Sequence, residues 1–147
     1  MRFVADTSVL SALSPAAAPL SDDHRQWVRD SAVQWGIPTI VVMEIEQGLA
    51  RLSQTGATRK LTILSQWLER MLTEFSGQIV DFDLKASRRA GMLSDRLVGA
   101  GQHPGLADVM IAAIADVRGL IVLTRNLRHF EPTGVPAIDP FAPQEPR

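Results

Sequence analysis

The sequence predicts an α/β fold, a three-layer α/β/α sandwich around a mainly parallel central sheet of four to five strands. Three observations predict it. Short runs of β-branched and apolar residues recur along the chain, at residues 3–5, 39–43, 79–80 and 120–124, with a fifth at 135–138. Unbroken apolar runs of this kind are what strands covered on both faces look like. Between them lie stretches with helical spacing of apolar residues, and strands alternating with helices mean a parallel sheet wrapped by helices. The chain has 147 residues, which suits one domain with its own core and not two.

Each element follows from local chemistry. The first strand is Phe3, Val4 and Ala5, and Asp6-Thr7-Ser8 then offers a helix start before Val9, Leu10 and Leu13. Ser21 caps a helix running to about Trp35, with Trp27, Val28, Ala32 and Trp35 near one face and Gly36 ending it. The run TIVVM at residues 39–43 predicts the second strand; Glu44 follows directly and opens a helix to about Leu52. A helix from Thr58 places Leu61, Leu64, Leu68 and Leu72 at helical spacing, and Ile79-Val80 forms the third strand. Asp83 caps a helix from Leu84 to about Val98. A Gly-rich loop at residues 99–105 leads to a helix from Leu106 to Arg118, which Gly119 closes. Residues 1–141 read as a single domain, and residues 142–147 as a loose Pro-containing tail.

Composition removes several function classes. Hydrophobic residues make up 46% and charged residues 21%, a globular balance. There is no cysteine, which excludes disulfide scaffolds, thiolate metal sites and Cys nucleophiles. His24, His103 and His129 are scattered and form no zinc-binding pair. No glycine-rich phosphate loop follows the first strand, so nucleotide switches and dehydrogenases fall away. The longest apolar stretches are too short to span a bilayer. Asp6 interrupts what otherwise imitates a signal peptide, so the expected location is the cytoplasm, with no membrane partner. The formal net charge is −1, but all basic residues except Lys60 and Lys85 are Arg, so nucleic-acid binding would rest on a local patch.

In open parallel sheets, function gathers at the carboxyl ends of the strands. Asp6 follows the first strand, Glu44 the second and Asn126 the fourth, while Asp108 stands in the first turn of an almost wholly apolar helix. Converging carboxylates raise each other's pKa unless a cation lies between them. With oxygen ligands and no Cys, that cation is a hard one, Mg²⁺ or Mn²⁺, and phosphodiester hydrolysis is its natural chemistry. Each residue also has a plain reading: Asp6 as a helix cap, Asp108 and Glu44 as first-turn acids, Asn126 as a loop residue. Their joint placement favours the site. Glu46 reads as solvated, Asp116 as surface, His129 as a packed or solvent-facing loop residue more readily than as a phosphate contact, and Met43, Met92 and Met110 as packing groups. Basic residues cluster at Arg51, Arg59 and Lys60, at Lys85, Arg88, Arg89 and Arg96, and at Arg125 and Arg128 beside Asn126.

Four stretches, VADTSVL, IVVMEIEQGL, LADVMIAAIA and VLTRNLRHF followed by TGV and DPF, resemble the PIN-domain ribonucleases, specifically the VapC-type toxins of type II toxin–antitoxin pairs. The resemblance covers residues 2–141 and implies a PIN-like fold. It further implies that Asp6, Glu44 and Asp108 hold Mg²⁺ or Mn²⁺, with Asn126 in a fourth catalytic position usually filled by Asp or Asn. Thr7 and Thr124 match hydroxyl positions beside that site, and Arg125 and Arg128 are expected at substrate phosphates. The implied activity is an endoribonuclease toxin that cuts tRNA or mRNA and inhibits translation, with a homodimeric state and a cognate protein antitoxin. The residues by themselves predict metal-dependent phosphodiester cleavage; the preference for RNA and the antitoxin come from the resemblance. With no Tyr in the chain, shape selection is expected over base stacking. Three alternatives stay open at this point: a metal-dependent phosphatase using Asp6 as nucleophile, a DNA nuclease of related fold, and a non-enzymatic α/β interaction module. The phosphatase is weakened by Ser8, where that chemistry wants a second acid.

Overall fold

The computed structural model describes residues 1–142, so residues 143–147 of the expected tail lie outside the described part. Five strands, β1 (Phe3–Ala5), β2 (Trp35–Pro38), β3 (Ile79–Val80), β4 (Ile121–Leu123) and β5 (Ala137–Ile138), form one sheet in the order β3-β2-β1-β4-β5. Every pairing is parallel. Seven helices connect them: α1 (Thr7–Ala12), α2 (Asp22–Ser31), α3 (Thr39–Gln54), α4 (Thr58–Glu74), α5 (Leu84–Gly99), α6 (Leu106–Arg118) and α7 (Leu127–Phe130). The chain winds outward from β1 to β3, then returns to build β4 and β5 on the other side of β1. Parallel crossovers are right-handed as a rule, so arms running in opposite directions from β1 carry their helices on opposite faces, the three-layer sandwich expected. The reversal lies between β1 and β4, and it is there that doubly wound sheets open a crevice at their carboxyl ends.

The core follows the sheet. Val4, Ala5, Ile37, Val122 and Leu123 are fully buried, as are Ile111, Ala112, Ala113, Ile114 and Ala115 of α6. Trp27 of α2 packs at 5.7 Å from Trp35 and 6.2 Å from Phe3, ring centre to ring centre. Ser21 caps α2 through the His24 N–H, Asp83 caps α5 through the Ala86 N–H, and Gly119 closes α6 in the left-handed region at φ 64°.

Three expectations are corrected. Residues 39–43 are not a strand: they form the first turns of α3, and the strand is the preceding WGIP. An apolar run of five does not by its periodicity separate a strand from a buried helix segment. The deciding pattern is longer, since Val41, Ile45 and Leu49 are buried at four-residue spacing through the whole helix. Second, α2 stops at Ser31, and Trp35 and Gly36 belong to β2. Gly36 is there for close approach: a Cβ at this position would lie 2.6 Å from the Met1 sulfur and 2.7 Å from Val80 Cγ2. Third, Met43 and Met92 are exposed and lie outside the core.

Candidate active site

Asp6 directly follows β1, and its backbone N–H donates to the Leu123 carbonyl of β4 at 2.8 Å. That bond brings the carboxyl ends of the two central strands together. The side chain is 4% exposed yet richly satisfied. Oδ1 accepts from the Thr7 N–H at 2.7 Å, capping α1, while Oδ2 accepts from Ser8 Oγ and from Thr124 Oγ1, each at 2.8 Å. Both hydroxyls pass the connection on. Ser8 Oγ accepts from the Arg125 N–H at 2.9 Å, and Thr124 Oγ1 accepts from the Asn126 N–H at 3.0 Å. A buried carboxylate thus fixes the loop leaving β4 through two charge-assisted bonds.

Glu44 stands in the second turn of α3, not directly at a strand end as the sequence suggested. It joins the site through Thr7, whose Oγ1 donates to Glu44 Oε1 at 2.7 Å. Asp108 sits in the first turn of α6, where the helix N-terminus favours an anion. Its carboxyl is nevertheless pushed above the usual range, first by burial and then by the charge of Asp6. His129 of α7 works the other way, with Nδ1 at 3.0 Å from Asp108 Oδ2. The two side chains differ in setting, Asp108 being 18% exposed and His129 55%.

The charge of Asp6 thus reaches Asp108, and Glu44 is linked to Asp6 through Thr7. Among the described residues, no three Asp, Glu or His groups stand close enough together to cage an ion by themselves. Counting acceptors leaves a lone pair on Asp6 Oδ1 and open oxygens at Asp108 Oδ1 and Glu44 Oε2. Such a set suits a hard cation of the Mg²⁺ type, which takes one or two carboxylates and completes its shell with water and substrate phosphate.

Asn126 is exposed; it is tied to the site by its backbone N–H, and its side chain takes no hydrogen bond among the described residues. Arg125 and Arg128 are exposed on either side of it. Three other arginines are committed elsewhere: Arg89 pairs with Asp116 at 2.5 Å, Arg118 with Asp83 at 2.8 Å, and Arg96 donates to the Thr133 carbonyl at 2.7 Å. Lys60 and Glu44 both line a groove between α1, α3 and α4.

Sequence reasoning missed two participants. Ser8 had a signal, a hydroxyl two residues after a capping Asp. His129 had none, because only the packing of α7 against α6 brings it to Asp108.

Residues 3–134 match the PIN domain family. The chain is 33% identical over 146 residues to the VapC ribonuclease Y4jK of Sinorhizobium fredii, covering 96% of this chain and 99% of that one. Over 95 residues it is 32% identical to the tRNA(fMet)-specific endonuclease VapC of Salmonella typhimurium, covering 65% and 66% of the two chains. Among solved structures, FitAcB from Neisseria gonorrhoeae aligns with a TM-score of 0.78 at 26% identity, over 96% of this chain and 99% of that chain. DNA-bound VapBC from Salmonella typhimurium aligns with a TM-score of 0.74 at 25% identity, over 95% and 98%. A five-stranded parallel sheet with its acids at the β1–β4 junction, joined to likeness across nearly the whole chain, places this protein in the PIN-domain family, among its VapC ribonucleases.

Proposed function

We propose that this chain is the endoribonuclease toxin of a toxin–antitoxin pair, cutting RNA at a Mg²⁺- or Mn²⁺-dependent site built on Asp6, Glu44 and Asp108. The observation that carries the site is a partly buried Asp108 with an open Oδ1, its carboxyl pushed up by burial and by the charge of the buried Asp6. A divalent ion bound there would neutralise that repulsion, activate water and polarise a phosphoryl oxygen. The remaining work belongs to the chain. Ser8 and Thr124 hold the Asp6 carboxylate in one orientation, and Thr7 does the same for Glu44. The Asn126 amide orients water or substrate without adding charge, and Arg125 and Arg128 take the flanking phosphates. Asp6, accepting three hydrogen bonds, is a poor nucleophile, which disfavours the phosphatase reading.

The substrate class we infer is tRNA or mRNA, supported by the tRNA(fMet)-specific name of a relative. A protein antitoxin partner is supported by the VapBC assemblies among the structural neighbours. Pairing of two copies and a cytoplasmic setting belong to the same reading; no helix among the described residues is long and apolar enough to cross a membrane. The test is cleavage of purified tRNA and of a mixed RNA pool with Mg²⁺ or Mn²⁺, against EDTA and against the Asp6→Asn/Asp108→Asn double variant. Cutting that needs metal and disappears in the variant is the expected result. Absence of cutting by partner-free wild-type protein overturns the proposal in favour of a binding module.

A further inference from the structure

The structure assigns a subsite for one nucleotide of single-stranded RNA to the pocket adjoining Asp108, an inference that rests on the nuclease reading above. A cavity of about 360 Å³ lies between the loop after α5 and the segment after β4, lined by Gln102, His103, Pro104, Arg128, His129 and Pro132 among others. That volume is at the low end for small-ligand pockets, the scale of a single nucleotide.

Both walls are held in place. Just beyond α5, Gly101 lies at φ 73°, its N–H on the Val98 carbonyl and the Gln102 N–H on the Leu97 carbonyl, each at 2.9 Å. This paired closure locks the chain direction entering Gln102 and His103. The opposite wall is tied to α5 by the Arg96 bond to the Thr133 carbonyl, while Thr133 Oγ1 donates to the Phe130 carbonyl at 2.6 Å. His129 forms the corner shared with the catalytic centre, because its Nδ1 is on Asp108. A nucleotide in the pocket is therefore adjacent to the phosphate being cut.

The lining chemistry fits a base with its phosphate. Two imidazoles and a guanidinium offer flat faces for stacking, filling a role the chain cannot give to Tyr. The Gln102 amide offers both a donor and acceptors to a base edge. Arg128 supplies fixed positive charge for a phosphate, and no carboxylate is among the lining residues. A base bound here would set sequence preference at one position beside the cut.

The test compares full-length wild type, His103→Ala and Gln102→Ala on bulk tRNA and on a randomised single-stranded RNA library, with product ends sequenced. Both side chains are exposed, so unchanged melting temperatures are expected. The expected result is a base preference at one position flanking the cut that flattens in the variants. KM should rise on the order of five-fold or more while kcat changes less than about two-fold, the pattern of lost binding and not lost chemistry. Unchanged preference and unchanged KM overturn the subsite. If wild type cuts nothing, the nuclease reading fails instead, and the pocket is judged by NMR of the His103 and His129 rings. A saturable shift with 5′-nucleoside monophosphates that inorganic phosphate does not reproduce supports it; equal shifts with both, or none, overturn it.

Discussion

Asp6 and Asp108 are both acidic, yet their surroundings make the same substitution act differently at each. The Asp108 side chain is largely buried, and burial together with the charge of Asp6 pushes its carboxyl above the usual range. The folded protein therefore holds a proton that the unfolded chain has already released, so stability falls as pH rises from the unfolded pKa through the folded one. Asp108→Asn should remove that fall. Thermal melts without divalent metal are expected to show a larger gain for the variant at pH 7 than at pH 4, with cleavage abolished. At Asp6 the hydrogen bonds decide the outcome instead. Its carboxylate accepts from Thr7, Ser8 and Thr124, and an amide nitrogen in place of one oxygen costs about 1–3 kcal/mol. Asp6→Asn should thus lose both cleavage and stability in the same melts. Glu46 is exposed on α3, and Glu46→Gln should cleave like wild type; a large loss there would mean the wrong glutamate was assigned.

At the scale of elements, the segment from Trp35 to Gln54 shows how a strand and a helix compete for the same apolar residues. The sequence pattern gave TIVVM to the strand, but Pro38 has φ −64° and ends β2, and Thr39 starts α3. The strand fell instead on WGIP, whose glycine looks like a helix stop when read locally. Only the approach of Met1 and Val80 explains why position 36 carries no side chain. Gly36→Ala should cost about 1–3 kcal/mol by overpacking, measured by urea denaturation, with the flexible Met1 yielding more readily than Val80 on the neighbouring strand. The caps were legible without such help. Asp6, Ser21, Asp83 and Gly119 each act at the helix end their chemistry suggested.

The whole molecule carries a formal net charge of −1, so any hold on RNA is local, and the sheet order decides where. Because β4 lies beside β1, the segment after β4, with Arg125 in the loop and Arg128 in α7, follows directly from the strand that pairs with Asp6's own. Arg125→Ala and Arg128→Ala should each weaken RNA binding across sequences and reduce the slope of log affinity against log salt by about 1. Filter binding at several salt concentrations, using the cleavage-deficient double variant as background, would measure it. By contrast, Arg89 and Arg96 face internal partners, so the basic run around them overstated the binding surface.

The sequence by itself determined the α/β class, the parallel sheet, most helix caps and the identity of Asp6, Glu44 and Asp108 as candidates. Those features are written in local periodicity, in capping chemistry and in the penalty on a charge placed in an apolar helix. Tertiary structure alone decided that Asp6 meets Thr124, that Glu44 arrives from inside a helix through Thr7, and that His129 closes on Asp108. These contacts join residues 118, 37 and 21 positions apart. Contacts over such separations arise from strand order and helix packing, and no local pattern in the chain encodes them.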